Sequence, residues 1–237
     1  MVEQPSFRKP DRYKASSYRS YNSKMLSRYD TCFWNRFCQT ALWDRIIVDE
    51  LGPPIHSLRI LDVGCATGRL LKHLAKAGAR QLCGADLAPR ILEVAGEKLA
   101  QIGIPGDLRV ADAEDCLPWD AADFDVVTLT GVLHHFYRPK DALDEVRRVL
   151  RSGGRLLIID PCFFTPARQL LNAALQVAPH DGDYHFYSGP QAADLLTKVG
   201  FEVPHTRRVG VWAFLAEGRK PGSGPIHVGN AITGAAL

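Results

Sequence analysis

The chain has no apolar run near the ~18 residues that a membrane helix needs. Its strongest runs, at 60–63 and 156–159, suit buried strands. Residues 1–12 are polar and hold no apolar signal core, so a secretory route is not expected. The six cysteines, at 32, 38, 65, 83, 116 and 162, form no C-x-x-C, and none pairs with histidine at zinc-ligand spacing. No metal is assigned on that ground. Several cysteines lie in apolar runs, as small core residues do, and a reducing cytoplasm is the expected compartment. No extended basic face interleaved with aromatics is present, so nucleic acid is not an expected partner. There is no internal repeat and no low-complexity tract.

What is present is a chain of 237 residues, 46% hydrophobic and 23% charged. That suits one large soluble domain, or one with a small appendage. The net charge of +3 is uneven. Up to Arg36 there are eight basic residues (Arg8, Lys9, Arg12, Lys14, Arg19, Lys24, Arg28, Arg36) against Glu3, Asp11 and Asp30, so this arm is basic and the rest slightly acidic. A solvated leading segment, or one that meets an acidic or phosphorylated ligand, both fit.

Apolar residues recur at helical spacing over 29–51, and Gly52-Pro53-Pro54 ends that helix. A rhythm follows. Strands are expected at 59–63, 81–86, 108–111, 124–129 and 155–160, and helices at 69–77, 89–102 and 140–150. Gly153-Gly154 turns the chain into the fifth strand. Short apolar strands alternating with amphipathic helices predict an α/β fold, a parallel sheet covered on both faces. Helices are expected near 167–177 and 190–199. Strands at 201–208 and 211–217, joined by a two-residue turn near Val209-Gly210, predict an antiparallel hairpin. Residues 218–237 read as a mobile tail.

In such a sheet, ligands sit beyond the carboxyl ends of the strands. After the first strand comes Asp62-Val63-Gly64-Cys65-Ala66-Thr67-Gly68, a glycine loop that opens a helix. Its glycines allow a tight turn and close backbone approach, and the helix start offers free N–H groups. The spacing is not the dinucleotide G-x-G-x-x-G, which weighs against a nicotinamide oxidoreductase. It is not a P-loop either, since no Gly-Lys-Ser/Thr follows. Asp86-Leu87 ends the second strand, where a carboxylate can accept from both hydroxyls of a ribose. Asp112-Ala113 ends the third, where an acid can accept from the exocyclic amine of an adenine. After the fourth come Thr130-Gly131-Val132-Leu133-His134-His135.

The segment 60–160 resembles the core of the class I S-adenosylmethionine-dependent methyltransferases. It is most similar to the small-molecule branch that includes the ubiquinone and menaquinone enzymes. The resemblance rests on Asp62–Gly68, Asp86-Leu87, Asp112-Ala113, Phe124-Asp125-Val126-Val127 and the 150–157 run. It departs at Ala66, where the family usually has glycine. It implies a Rossmann-like seven-stranded, mostly parallel sheet whose last strand is antiparallel, with S-adenosyl-L-methionine as cofactor and a small molecule as methyl acceptor. It implies cofactor contacts from Asp62, Gly64, Cys65, Ala66, Gly68, Asp86, Leu87, Asp112, Ala113 and Thr130.

Residues 1–51 are then a cover whose Tyr18, Tyr21 and Tyr29 close over the site or serve as partial core. Residues 52–217 are the domain, with an inserted cover at 161–188. His135, with His134, is the candidate general base, the alternative being that both are structural, hydrogen-bonded loop histidines and the enzyme works by positioning alone. O-methylation is slightly favoured over N- or C-methylation. The cluster His180-Asp181-Gly182-Asp183-Tyr184-His185-Phe186-Tyr187 reads as an ordinary polar loop, a grip on substrate, or a metal site as in catechol methyltransferases. Pro161-Cys162 follows the fifth strand rather than the fourth, against a cysteine nucleophile of the cytosine-C5 type. Thr130-Gly131-Val132-Leu133 replaces the Asn/Asp-Pro-Pro-aromatic run of base-amino methyltransferases. A cofactor-binding protein without turnover is the alternative that intact loops leave open.

Overall fold

The structure is a computed structural model that describes residues 12–24, 29–31, 40–177 and 182–222. Cys32, Cys38, His180, Asp181 and residues 223–237 lie outside the described residues. Helices α1 (Arg12–Arg19) and α2 (Thr40–Leu51) come first. Then follow β1 (Arg59–Val63), α3 (Arg69–Lys76), β2 (Gln81–Asp86), α4 (Pro89–Ala100), β3 (Asp107–Val110) and β4 (Phe124–Thr130). The chain goes on through α5 (Pro139–Val149), β5 (Leu150–Pro161), α6 (Thr165–Val177), α7 (Gly189–Lys198), β6 (Glu202–Val209) and β7 (Ala213–Arg219).

The sheet has seven strands in the order β3-β2-β1-β4-β5-β7-β6. Only β7 runs against its neighbours, pairing antiparallel with both β5 and β6. Successive strand residues point to opposite faces, which splits the core in two. Leu61, Val63, Val127, Leu129, Leu156 and Ile158 pack with α5 and α7 on one face. Ile60, Val126, Leu157 and Ile159 pack with Trp43 and Ile47 of α2 and Leu71 and Leu74 of α3 on the other. At ~1.5–3 kcal/mol per fully buried large side chain, these layers hold the strand ends in register.

Several boundaries differ from the sequence reading. Of the helix expected over 29–51, Thr40–Leu51 is helical, and residues 32–39 lie outside the described residues. Tyr29–Thr31 form a single 3-10 turn instead, tied down where the Thr67 hydroxyl donates to Asp30 at 2.7 Å and Lys98 pairs with Asp30. Strand β5 starts at Leu150, ahead of the glycine pair, because Phe124 pairs with Leu150 and Val126 with Arg155 across an irregularity in the ladder. The hairpin turn has three residues, Gly210-Val211-Trp212, since Val209 pairs with Ala213. The start of the tail is anchored: Lys220 exchanges backbone bonds of 2.9 Å with Gly153 and Gly154. Its ammonium donates to the carbonyls of Arg147 and Leu150 at 2.7 and 2.6 Å.

Candidate active site

Strand β1 lies between β2 and β4, so the winding reverses there and the loops after β1, β2, β3 and β4 meet at one edge. They enclose a cavity of about 90 Å³. Of the residues expected to hold cofactor, Gly64, Ala66, Asp86, Leu87, Asp112 and Ala113 line it. Asp62, Cys65, Gly68 and Thr130 are not among the lining residues.

The glycine loop is shaped by close approach. Gly64 has φ +72°, and a Cβ there would sit 2.5 Å from Cγ2 of Val132. Its N–H donates to the Ala85 carbonyl at 2.8 Å, which locks the loop to β2. Ala66 shares the left-handed region at φ 46°, where a glycine would rest more easily.

Asp86 ties two loops together. Its Oδ2 accepts from the Ala66 N–H at 2.9 Å and its Oδ1 from the Ala88 N–H at 3.0 Å. Burial pushes its pKa up to about 6, against the pull of those donors. Asp112 Oδ1 accepts from the Glu114 N–H at 2.9 Å. Asp62 is 2% exposed and accepts from the Thr128 hydroxyl at 2.7 Å, its register partner on β4. Burial raises its pKa to about 7. The Thr130 hydroxyl oxygen is buried without a hydrogen-bond partner among the described residues.

The histidine pair divides. His135 lines the cavity, and its Nε2 lies 3.4 Å from the Tyr21 hydroxyl. Burial, together with the charge on His134, lowers its pKa to about 4, so it is neutral at ordinary pH. His134 is turned inward, with Nδ1 3.0 Å from Oδ1 of Asp160. Burial opposes its charge, but Asp160 and Asp183 outweigh burial and raise it to about 10.

The leading segment crosses the cavity. Tyr21 and Tyr29 line it and meet edge to face at 5.8 Å. Tyr18 is not among the lining residues. Lys14 and Ser17 of α1 line it too, and Lys14 pairs with Asp112 and with Glu114. Sequence reasoning missed Lys14 and Glu114. Glu114 sits two residues after Asp112 on the same loop, a spacing that could have drawn notice. Lys14 carries no local signal, since its partner is 98 residues away.

A parallel sheet with one reversed strand, a glycine loop after β1 and acids after β2 and β3 define a class I S-adenosylmethionine-dependent methyltransferase domain, and S-adenosylmethionine is the cofactor of that class. Comparison with known proteins agrees: residues 61–158 of this chain match the model of a methyltransferase domain family.

The chain is 34% identical over 160 residues to a ubiquinone/menaquinone biosynthesis C-methyltransferase of Stutzerimonas stutzeri, a match spanning 66% of this chain and 59% of that protein. It is 36% identical over 105 residues to a ubiquinone biosynthesis O-methyltransferase of Xylella fastidiosa, covering 44% and 42%. The chain thus spans less than two thirds of the length of these curated relatives. Among solved structures, the magnesium protoporphyrin IX methyltransferase of Synechocystis with bound S-adenosylhomocysteine superposes with a TM-score of 0.70. It is 18% identical and is matched over 87% of this chain and 99% of its own. At that identity the likeness concerns the fold. No helix among the described residues is long and apolar enough to cross a membrane.

Proposed function

We propose that this chain transfers the methyl group of S-adenosylmethionine to a hydroxyl of a small-molecule acceptor. The observation that carries the reading is the pair of acids on adjacent strand ends, Asp86 after β2 and Asp112 after β3, both facing one cavity. Asp86 retains acceptor capacity for ribose hydroxyls beyond its two backbone bonds, and Asp112 suits the adenine amine. Gly64 brings backbone close to the methionine part, and Leu87 packs on the adenine.

The sulfonium methyl is already an activated electrophile, so the protein's task is to align the acceptor in line with the S–CH₃ bond. Such alignment is worth ~7–11 kcal/mol of barrier in favourable cases. His135 is the histidine that the β4 loop presents to the cavity, which places the acceptor hydroxyl beside it. Residues 1–51 act as the cover, since Lys14, Ser17, Tyr21 and Tyr29 already lie across the opening. Both C- and O-methyltransferases are among the relatives, and the hydroxyl is chosen because His135 faces the cavity with its Nε2 beside the Tyr21 hydroxyl.

Calorimetric titration with S-adenosylhomocysteine and with NADH, followed by turnover of methyl-labelled cofactor with phenolic and quinol acceptors, tests the reading. Binding of S-adenosylhomocysteine alone and transfer of label to oxygen are expected. A chain that ignores S-adenosylhomocysteine overturns it. His135→Ala should slow turnover while leaving cofactor affinity unchanged.

A further inference from the structure

Three side chains beside the cavity point at one another. His134 and His135 come from the loop after β4, and Asp183 from the cover segment after α6. Oδ1 of Asp183 lies 3.5 Å from Nε2 of His134 and 3.4 Å from Nδ1 of His135. All three donor atoms fall within 4.8 Å of one another. Both separations exceed the ~2.7–3.2 Å of an N–H···O bond. Nδ1 of His135 is buried and makes no close hydrogen bond to a described side chain, while the Gly182 backbone acts on the ring as an acceptor. Donors held at ~2.0–2.2 Å around one tetrahedral ion stand ~3.3–3.5 Å apart, which is the spacing of Asp183 from each histidine nitrogen, and the two ring nitrogens lie within 4.8 Å of each other.

The surroundings hold this trio in place. Asp160 binds Nδ1 of His134 through both oxygens, at 3.0 and 3.1 Å, which turns Nε2 toward Asp183. A carboxylate on the far nitrogen is the usual support of a metal-bound histidine. Phe186 stacks on the His134 ring at 4.8 Å with an interplanar angle of 16°. The backbone N–H groups of Tyr184 and His185 donate to the His134 carbonyl at 2.8 and 3.0 Å, pinning the Asp183 segment against the histidine loop. Gly182 carries φ +89°, and a Cβ there would meet Ser17 at 2.5 Å. The cover segment and the leading helix therefore close on the trio together.

We propose that His134, His135 and Asp183 bind a divalent ion of the zinc type, which displaces to solvent the Nε2 proton that His134 otherwise holds toward Asp183, with a fourth position open to the acceptor. Two imidazoles and one carboxylate are a donor set suited to such an ion, and three protein ligands leave room for an exchangeable one. Its catalytic role rests on the methyl-transfer reading. The ion takes the acceptor's hydroxyl oxygen and lowers its pKa, and the released proton passes to solvent. An oxygen lone pair attacks the methyl carbon, the C–S bond breaks, and the sulfur keeps that electron pair as neutral S-adenosylhomocysteine.

The test uses the full chain, stripped with chelator and titrated with Zn²⁺ and separately with Co²⁺, whose visible bands report tetrahedral coordination. One ion per chain is expected. Asp183→Asn and His135→Ala should each abolish it, and Asp160→Asn should weaken it by about 10- to 100-fold. Parallel titration with S-adenosylhomocysteine shows that the variants keep their fold. Substoichiometric binding by the wild type, or full binding that survives Asp183→Asn, overturns the site. So does loss of binding in Glu217→Gln, because Glu50, His205 and Glu217 form a second cluster of donors. Intact zinc binding without S-adenosylhomocysteine binding would sustain the ion site and strike the methyl-transfer reading instead.

Discussion

Lys14 of α1 is ion-paired with Asp112, the acid that suits the adenine amine, and reaches Oε2 of Glu114 at 3.1 Å. Burial works against the ammonium, yet the two carboxylates outweigh it and hold its pKa above the ordinary value. On the proposed placement of the adenine at Asp112, the cation stands where the adenine amine would donate, so cofactor entry would move it and the cost of that exchange would belong to the binding equilibrium. Lys14→Met should bind S-adenosylhomocysteine several-fold more tightly and with less dependence on salt, because screened ion pairs give way more easily. Titration of both proteins at low and high salt checks this. Weaker binding by the variant would mean that the ammonium assists the cofactor.

Asp86 offers a test through pH. Its pKa of about 6 lies within reach of ordinary buffers. Ribose hydroxyls donate to the ionised carboxylate, so affinity for S-adenosylhomocysteine should fall as pH drops through about 6. Asp86→Asn keeps an acceptor but removes the charge and should cost about 10-fold or more, since charge-assisted bonds are roughly twice as strong as neutral ones. The variant should also lose the pH dependence. Calorimetry across that range is the measurement.

Asp62 should show the opposite of a binding residue. Its folded pKa of about 7 is above the unfolded value, so the folded protein holds the extra proton. Its contribution to stability is present at acid pH and is lost as pH rises through about 7. Asp62→Asn still accepts from the Thr128 hydroxyl and carries no charge to bury. Its melting temperature should exceed that of the wild type on the alkaline side and converge with it in acid. Cofactor affinity should barely change, because Asp62 does not reach the cavity.

Gly64 admits no side chain. Alanine there would combine φ +72° with a 2.5 Å clash against Val132. A loss of about 1–3 kcal/mol is expected from the backbone alone, together with weaker cofactor binding. Adding Val132→Ala should recover the share due to the clash and leave the share due to φ. Chemical denaturation of the two single variants and the double variant separates these parts.

The parts of the site legible in the sequence are those whose meaning is local. Asp86 and Asp112 each follow an apolar strand, and strand ends in a parallel sheet converge. The reversed β7 was legible too, because a short turn after β6 forces the chain back on itself. Boundaries were less so. Tyr29–Thr31 leave the helical path because Thr67 and Lys98 hold Asp30, partners 37 and 68 residues away. Nor does spacing tell His134 from His135. They are adjacent, and the carboxylate of Asp160 on the neighbouring strand turns one inward.

The order of strands and helices, the glycine loop and the acids at the strand ends were determined by the sequence alone, since periodicity and turn chemistry act over a few residues. Which side chains share a cavity was decided only by the tertiary structure. Lys14 meets Asp112, and Asp183 meets the histidines, because packing of both sheet faces brings distant segments over one edge. Burial then sets their charge, as it does for Asp62 and Asp86, and no local pattern of residues carries that information.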